Sequence, residues 1–190
     1  MEYQVETRDH YLRVALKDIL TETGSKKKVY IIDLASFRTL GELRSCIRNH
    51  GENGRYIFIG DEGIYSRLLR PLVSLSRKSS LNEYRKIIRH YPGLSYETVS
   101  RSLDRHLRMD GFTHRENSTV YSLLIHDSFI SAAKHIGINP KSFYQRVDKL
   151  SKKLNICGRL QTQLYLRREF LPDSVRRRIN EQVLQAFRMY

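Results

Sequence analysis

The sequence predicts two domains of different class, an α/β domain followed by an all-α domain that carries an extra C-terminal helix. Short apolar runs alternate with helix-spaced apolar residues over residues 3–75, which is typical of a parallel sheet flanked by helices. After residue 80, every apolar pattern has the period of a helix. A chain of 190 residues can bury one large core or two small ones, so two domains are the upper limit.

Three β-α pairs are predicted in succession in the N-terminal domain. The predicted strands are residues 3–7, 29–32 and 56–59, and the predicted helices are residues 9–20, 40–49 and 64–75. The second and third strands are continuously apolar, as expected of strands that are buried on both faces of a sheet. The Ser, Arg and Lys residues between positions 74 and 80 indicate a loop.

Two further helices are predicted after this loop, over residues 81–90 and 95–109. The Asp110-Gly111 pair ends the second of them, and we place the domain boundary there. The predicted domains are residues 1–110, an α/β domain with linker helices; residues 111–171, an all-α domain; and residues 172–190, a C-terminal amphipathic helix.

The net charge of +14 and the isoelectric point near 10.0 indicate a polyanionic partner. Double-stranded DNA is the favoured partner. An acidic membrane surface or an acidic protein is the alternative, and a basic surface that only maintains solubility is the simplest account.

The sequence offers no motif for catalysis, cofactor binding or metal binding. It contains no P-loop, GxGxxG or GxSxG motif, and its seven histidines form no HxH or HxxxH pair. Cys46 and Cys157 have no CxxC or CxxH neighbour, so both are expected to be reduced, buried thiols. With no apolar run of about 18 residues and no signal-peptide pattern, we expect a cytoplasmic protein that is not an enzyme and binds no cofactor or metal.

Three consecutive motifs in the second domain match one family without a gap. Phe112–Glu116 corresponds to Leu-Thr-x-Arg-Glu, Ala132–Asn139 to Ile-Ala-x-x-Leu-Gly-Ile-Ser, and Asn139–Leu154 to the recognition-helix pattern that follows. Residues 112–166 therefore resemble the LuxR-type (GerE-like) helix-turn-helix domain. Two positions depart from the family, since Ala132 stands in place of Ile and His126 in place of the glycine that ends the first helix.

The helix predicted after Asn139 is the recognition helix of this resemblance. Asn139 is suited to cap it, and Pro140 to begin it. Its inward stripe is Phe143, Val147, Leu150 and Leu154. The resemblance implies docking in the major groove, with Lys141, Tyr144 and Gln145 reading bases and with Ser142, Arg146, Lys149 and Lys153 contacting phosphates. The alternative is a solvated basic helix in a structural bundle.

The start of the chain resembles a response-regulator receiver. Thr7–His10 corresponds to the end of the first strand, where paired acids hold magnesium, and Asp33 corresponds to the phospho-accepting aspartate. Arg8 replaces one of the acids, and no strand bearing the receiver lysine is identified. Asp33 follows Asp9 by only 24 positions, too few for the strand-helix unit that normally intervenes. We therefore expect a structural Asp33, as in the auxiliary LuxR-type regulators of fimbriae or capsule in enteric bacteria, which often act with a partner regulator.

From these resemblances we predict a sequence-specific transcription regulator that does not depend on phosphorylation. It is expected to act as a homodimer or as a heterodimer with another regulator. The alternative is a protein-interaction adaptor that modulates another regulator without reading DNA. Residues 94–112 also carry a weaker resemblance to a winged helix of the cyclic-AMP-receptor type. The C-terminal helix, with its apolar stripe from Val175 to Phe187, either folds back on its own domain or forms a dimer contact.

Overall fold

A computed structural model describes residues 3–22 and 28–187 of the chain. The chain divides into two compact units, Met1–Arg108 and Met109–Tyr190. The first contains a parallel sheet with helices, and the second is helical and includes the additional C-terminal helix, which confirms the predicted fold class. No helix within the described residues is long and apolar enough to cross a membrane.

The first unit is built on four parallel strands in the order β1-β2-β3-β4. The strands are β1 (Tyr3–Glu6), β2 (Val29–Asp33), β3 (Arg55–Gly60) and β4 (Val73–Ser76). The helices are α1 (His10–Glu22), α2 (Leu40–His50), α3 (Ile64–Leu68), α4 (Leu81–His90) and α5 (Tyr96–Leu107). The two central strands, β2 and β3, are the predicted apolar runs, and they are almost wholly buried.

The helix predicted over residues 64–75 is wrong in its second half. α3 ends at Leu68, a single 3-10 turn spans Arg70–Leu72, and β4 follows. Pro71 explains the break, because proline lacks an amide hydrogen and its ring clashes with the preceding helical turn. The predicted loop consequently begins after Ser76, later than residue 74.

Helices cover both faces of the sheet. α1 and α4 lie on one face, where Leu16, Ile31 and Ile88 belong to one buried apolar cluster. α2 lies on the other face, where the hydroxyls of Tyr30 and Tyr56 donate to carbonyl oxygens in its last turn, at 2.9 and 3.3 Å. β1, β2 and β3 lie in chain order while α1 and α2 lie on opposite faces, so the two β-α-β connections have opposite hands.

One of these connections is therefore an exception to the right-handed rule, which about 98% of such connections obey. A flavodoxin-like sheet has the order 2-1-3-4-5, and right-handed connections place its first and third helices on opposite faces. Removing its second strand and the following helix leaves four parallel strands in chain order, with the first two helices on opposite faces. The topology seen here therefore matches a receiver-like sheet without the strand-helix unit for which the sequence has no room.

The second unit consists of helices that enclose one apolar core. They are α6 (His114–Ile125), α7 (Phe129–His135), α8 (Pro140–Lys153), α9 (Arg159–Glu169) and α10 (Pro172–Phe187). α10 packs against α6, and the Gln182 side chain donates to the Phe112 carbonyl at 2.9 Å and accepts from Asn117 at 3.0 Å. The C-terminal helix thus folds back on its own unit, although Leu184 and Phe187 remain exposed. Residues 188–190 of its predicted range lie outside the described residues.

Candidate nucleic-acid interface

α7 and α8 are joined by a tight turn at Gly137. This residue has a φ of +68°, in the left-handed region that glycine adopts at little cost. Its amide donates to the Lys134 carbonyl, and the Ile138 amide donates to the Ala133 carbonyl, both at 3.1 Å. These bonds satisfy carbonyls at the end of α7 and turn the chain directly into α8.

α8 begins and packs as its sequence predicts. The Asn139 side chain accepts from the Ser142 amide at 2.8 Å, and Pro140 occupies the first turn, where no amide donor is needed. The inward residues Phe143, Val147 and Leu150 are buried. With 14 residues, α8 is about 21 Å long.

Polar contacts to two neighbouring helices fix the orientation of α8. Asp148 accepts two hydrogen bonds of 2.7 Å from Arg159 of α9, and the buried Ser151 and Thr162 hydroxyls lie 2.8 Å apart. Near its other end, the Lys153 ammonium donates to Glu116 of α6 at 2.7 Å. Burial raises the pKa of Glu116, but hydrogen bonds from Lys153 and Thr113 outweigh it and hold that pKa below its ordinary value. The helix is therefore held before any ligand arrives.

The face of α8 opposite its buried stripe is cationic and open. At 100° per residue, this face carries Lys141, Gln145, Lys149 and Lys152, and all four side chains are exposed. Within the described residues, no hydrogen bond or ion pair engages any of the four. The one acidic residue of α8 is Asp148, whose charge is offset by Arg159.

One flank of α8 extends this cationic face toward the first turn of α6. A shallow cleft there is lined by Thr113, Arg115, Glu116, Arg146 and Lys149, among others. The Glu116 carboxylate caps the N-terminus of α6 and is already paired with a lysine of α8. The three cations Arg115, Arg146 and Lys149 are suited to a phosphate oxygen. Sequence reasoning missed Arg115, although it lies in the opening motif that the resemblance had already identified.

Two of the predicted contact residues are already engaged by neighbouring groups. Tyr144 is half-buried on the other flank, 5.6 Å from the ring of Phe129, with the Arg159 guanidinium 4.7 Å from its own ring centroid. Lys153 is occupied by Glu116 and by the Gly111 carbonyl at 2.7 Å. The predicted contact residues therefore fall into three groups. Lys141, Gln145 and Lys149 lie in the open row, and Ser142 and Arg146 lie on the flank beside α6. Tyr144 and Lys153 are held by neighbouring groups.

Asp33, which the resemblance places at the phospho-acceptor of a receiver, is buried in the first unit. The Asp33 carboxylate is 1% exposed and accepts from Thr7 at 2.7 Å, Ser36 at 2.8 Å and Arg77 at 2.6 Å. Burial raises the pKa of Asp33, but the hydrogen bonds from Arg77, Thr7 and Ser36 outweigh it and lower that pKa. Arg8 points elsewhere, to Glu42 at 2.7 Å.

Arg77 also corrects the sequence reading of this region. That reading found no strand corresponding to the one that bears the receiver lysine. In the structure, β4 ends at Ser76, and Arg77 directly after it supplies the positive charge beside Asp33.

The two parts of the chain carry equal shares of its net positive charge. Residues 1–108 contain 20 Lys and Arg against 13 Asp and Glu, and residues 109–190 contain 14 against 7, an excess of seven in each part. Composition alone therefore does not distinguish one part of the chain as the more basic one.

Two further expectations are corrected by the structure. The winged-helix alternative needs a strand after residue 109, but Phe112–Glu116 leads into α6, and the Thr113 side chain caps that helix. Cys157 is exposed and Cys46 is half-buried, so the expectation that both thiols are buried is wrong for Cys157.

Comparison with known proteins finds a distantly similar solved structure but no matching family. No protein-family model matches the sequence, and no curated protein matches it. Among solved structures, a crystal structure of full-length FixJ from B. japonicum is similar over 88% of this chain and 96% of that chain, with a TM-score of 0.35 and 13% sequence identity. A similarity at this level carries no inference about function.

Proposed function

We propose that the chain is a sequence-specific DNA-binding transcription regulator that docks α8 in the major groove. The observation that carries the proposal is the open row of Lys141, Gln145, Lys149 and Lys152 on a helix whose orientation is already fixed. A major groove about 12 Å wide admits one α-helix. Solvated basic faces are common, but this one combines an amide side chain with cations that no described residue pairs, on a helix that follows a tight glycine turn.

The side chains of the interface have different roles in this proposal. Lys141 and Gln145 reach base edges, since lysine suits the acceptors of guanine and glutamine suits adenine. Ser142, Arg146 and Lys149, joined by Arg115 of α6, contact phosphates and fix the register. Tyr144 and Lys153, first predicted as DNA contacts, support α8 from its two sides.

The first unit acts without phosphorylation in this proposal. The Asp33 carboxylate is 1% exposed and accepts hydrogen bonds from Thr7, Ser36 and Arg77, so it is not open to a phosphoryl donor. We assign this unit to contact with a second copy or with another regulator. We place the protein in the cytoplasm and assign it no catalytic reaction.

Salt-dependent binding of the full chain to a labelled random-sequence duplex tests the phosphate contacts. Arg146→Ala and Lys149→Ala are each expected to weaken binding and to reduce the slope of log K against log salt by about 0.9, since each removes one phosphate contact. Lys86→Ala, which removes an exposed lysine on α4, is the matched control and is expected to leave the slope unchanged. Equal slopes for all variants would favour the adaptor, in which α8 does not contact DNA.

A further inference from the structure

Three side chains with metal-ligating atoms meet on the α2 side of the sheet. Cys46 and His50 are four residues apart on α2 and share one helix face, and Glu6 ends the edge strand β1. The Cys46 sulfur lies 3.3 Å from His50 Nε2, which lies 3.4 Å from a Glu6 carboxylate oxygen. All three ligand atoms lie within 4.8 Å of one another. None of these residues belongs to the proposed DNA interface.

These separations suit one four-coordinate ion. Bonds of about 2.3 Å to sulfur and about 2.0–2.2 Å to nitrogen and oxygen give tetrahedral edges of roughly 3.4–3.6 Å. The observed distances of 3.3 and 3.4 Å are close to these edges. A mixed thiolate, imidazole and carboxylate set is typical of zinc, whereas magnesium and calcium prefer oxygen alone.

The surrounding residues hold the imidazole in place. The His50 side chain is 6% exposed, and its ring stacks on Tyr30 with centroids 4.5 Å apart and planes 13° apart. The Tyr30 hydroxyl also donates to the His50 carbonyl at 2.9 Å. Such outer contacts orient a metal ligand before the metal arrives.

Two of these three ligands would balance the charge of a bound divalent cation. Binding would release the thiol proton of Cys46 to solvent, and the resulting thiolate and the Glu6 carboxylate would together carry two negative charges.

We propose that Glu6, Cys46 and His50 bind one Zn²⁺ ion, with solvent or an external ligand completing the coordination. The ion would join the edge strand β1 to α2 and so stabilise the first unit. This site is independent of the DNA-binding proposal, and either can fail without the other.

Cobalt titration of the full chain, prepared reduced, metal-free and without a histidine tag, tests the site. We expect a thiolate-to-cobalt charge-transfer band and the visible bands of a four-coordinate ion, saturating at one ion per chain and lost when Zn²⁺ is added. Cys46→Ser is expected to abolish the charge-transfer band. His50→Gln and Glu6→Gln are expected to weaken binding by more than about 100-fold, since even outer-shell partners contribute about 10–100-fold.

Cys157→Ser is the matched control, because it removes the exposed cysteine of the other unit and is expected to leave the band unchanged. Circular dichroism of each metal-free variant checks folding. Zn²⁺ should raise the melting temperature of the wild type but not that of Cys46→Ser. The proposal is overturned if the wild type shows no charge-transfer band, or if Cys46→Ser keeps it.

Discussion

The carboxylate of Asp33 is held by donors from three separate segments of the first unit: Thr7 after β1, Ser36 in the turn after β2, and Arg77 after β4. A buried anion needs such partners, because an uncompensated charge in the interior is costly. These contacts join the carboxyl ends of three strands. The geometry therefore gives Asp33 a structural role in the fold.

Arg77→Met is expected to destabilise the first unit by about 1–3 kcal/mol at neutral pH, since it leaves a buried charged acceptor with fewer partners. The folded pKa of Asp33 lies below its ordinary value of 3.8, so ionised Asp33 stabilises the fold above that pH and loses this contribution as the pH falls below it. The difference between wild type and variant should therefore shrink under acid conditions.

Urea unfolding at neutral pH and again below pH 3.8 measures this effect. Lys78→Met is the matched control, because the neighbouring Lys78 makes only an exposed ion pair with Glu62, of the kind that contributes little. An Arg77→Met variant as stable as the control at neutral pH would contradict the structural role of Asp33.

Which side chains contact one another was the feature hardest to predict from sequence. Glu116 and Lys153 are far apart in the chain, and only the packing of α6 on α8 shows that this lysine is already paired. The cluster at Cys46 and His50 was missed because the motifs considered contained CxxH but not CxxxH. Its third member, Glu6, lies forty positions before Cys46, and only the sheet brings it there.

At the scale of elements, the α7–α8 turn depends on one backbone conformation. A Cβ added at Gly137 would meet no atom within 4 Å, so its cost would be conformational rather than steric. Gly137→Ala is expected to destabilise the second unit by about 1–2 kcal/mol, the cost of a left-handed residue with a side chain. Thermal unfolding of the full chain measures it.

Gly137→Asn provides the comparison, because asparagine tolerates the left-handed region better than alanine. We expect it to fall between wild type and Gly137→Ala in stability. Equal stability of the alanine variant and the wild type would show that the turn does not require this conformation.

Elements defined by local signals were predicted well. α8 has a capping residue, a first-turn proline and a regular apolar stripe, and its predicted start and buried face are those observed. β4 was predicted as helix because the apolar residues of 64–75 fit a helical period, and the breaking effect of Pro71 was not used. The pairing of β4 with β3 is a long-range contact that no local pattern reports.

For the whole molecule, the net charge and the local arrangement of charge carry different information. The net charge predicts a polyanion, but its excess is equal in the two parts of the chain. The open row on α8 is a local feature, and the proposal of DNA reading rests on it. A single helix reads few base pairs, so the proposal requires two copies, or one copy and a partner, on adjacent half-sites about 34–36 Å apart.

The most direct test of this account is selection of random genomic fragments by the wild-type chain and by Gln145→Ala, with Gln161→Ala on α9 as the matched control. We expect the wild type and the control to enrich the same sequence, which is two-fold symmetric where two copies bind. We expect Gln145→Ala to lose discrimination at one position of each half-site, worth about 1–3 kcal/mol, while random duplex binding changes little. Absence of any enriched sequence, or the same sequence enriched equally by Gln145→Ala, would contradict the reading of DNA by α8.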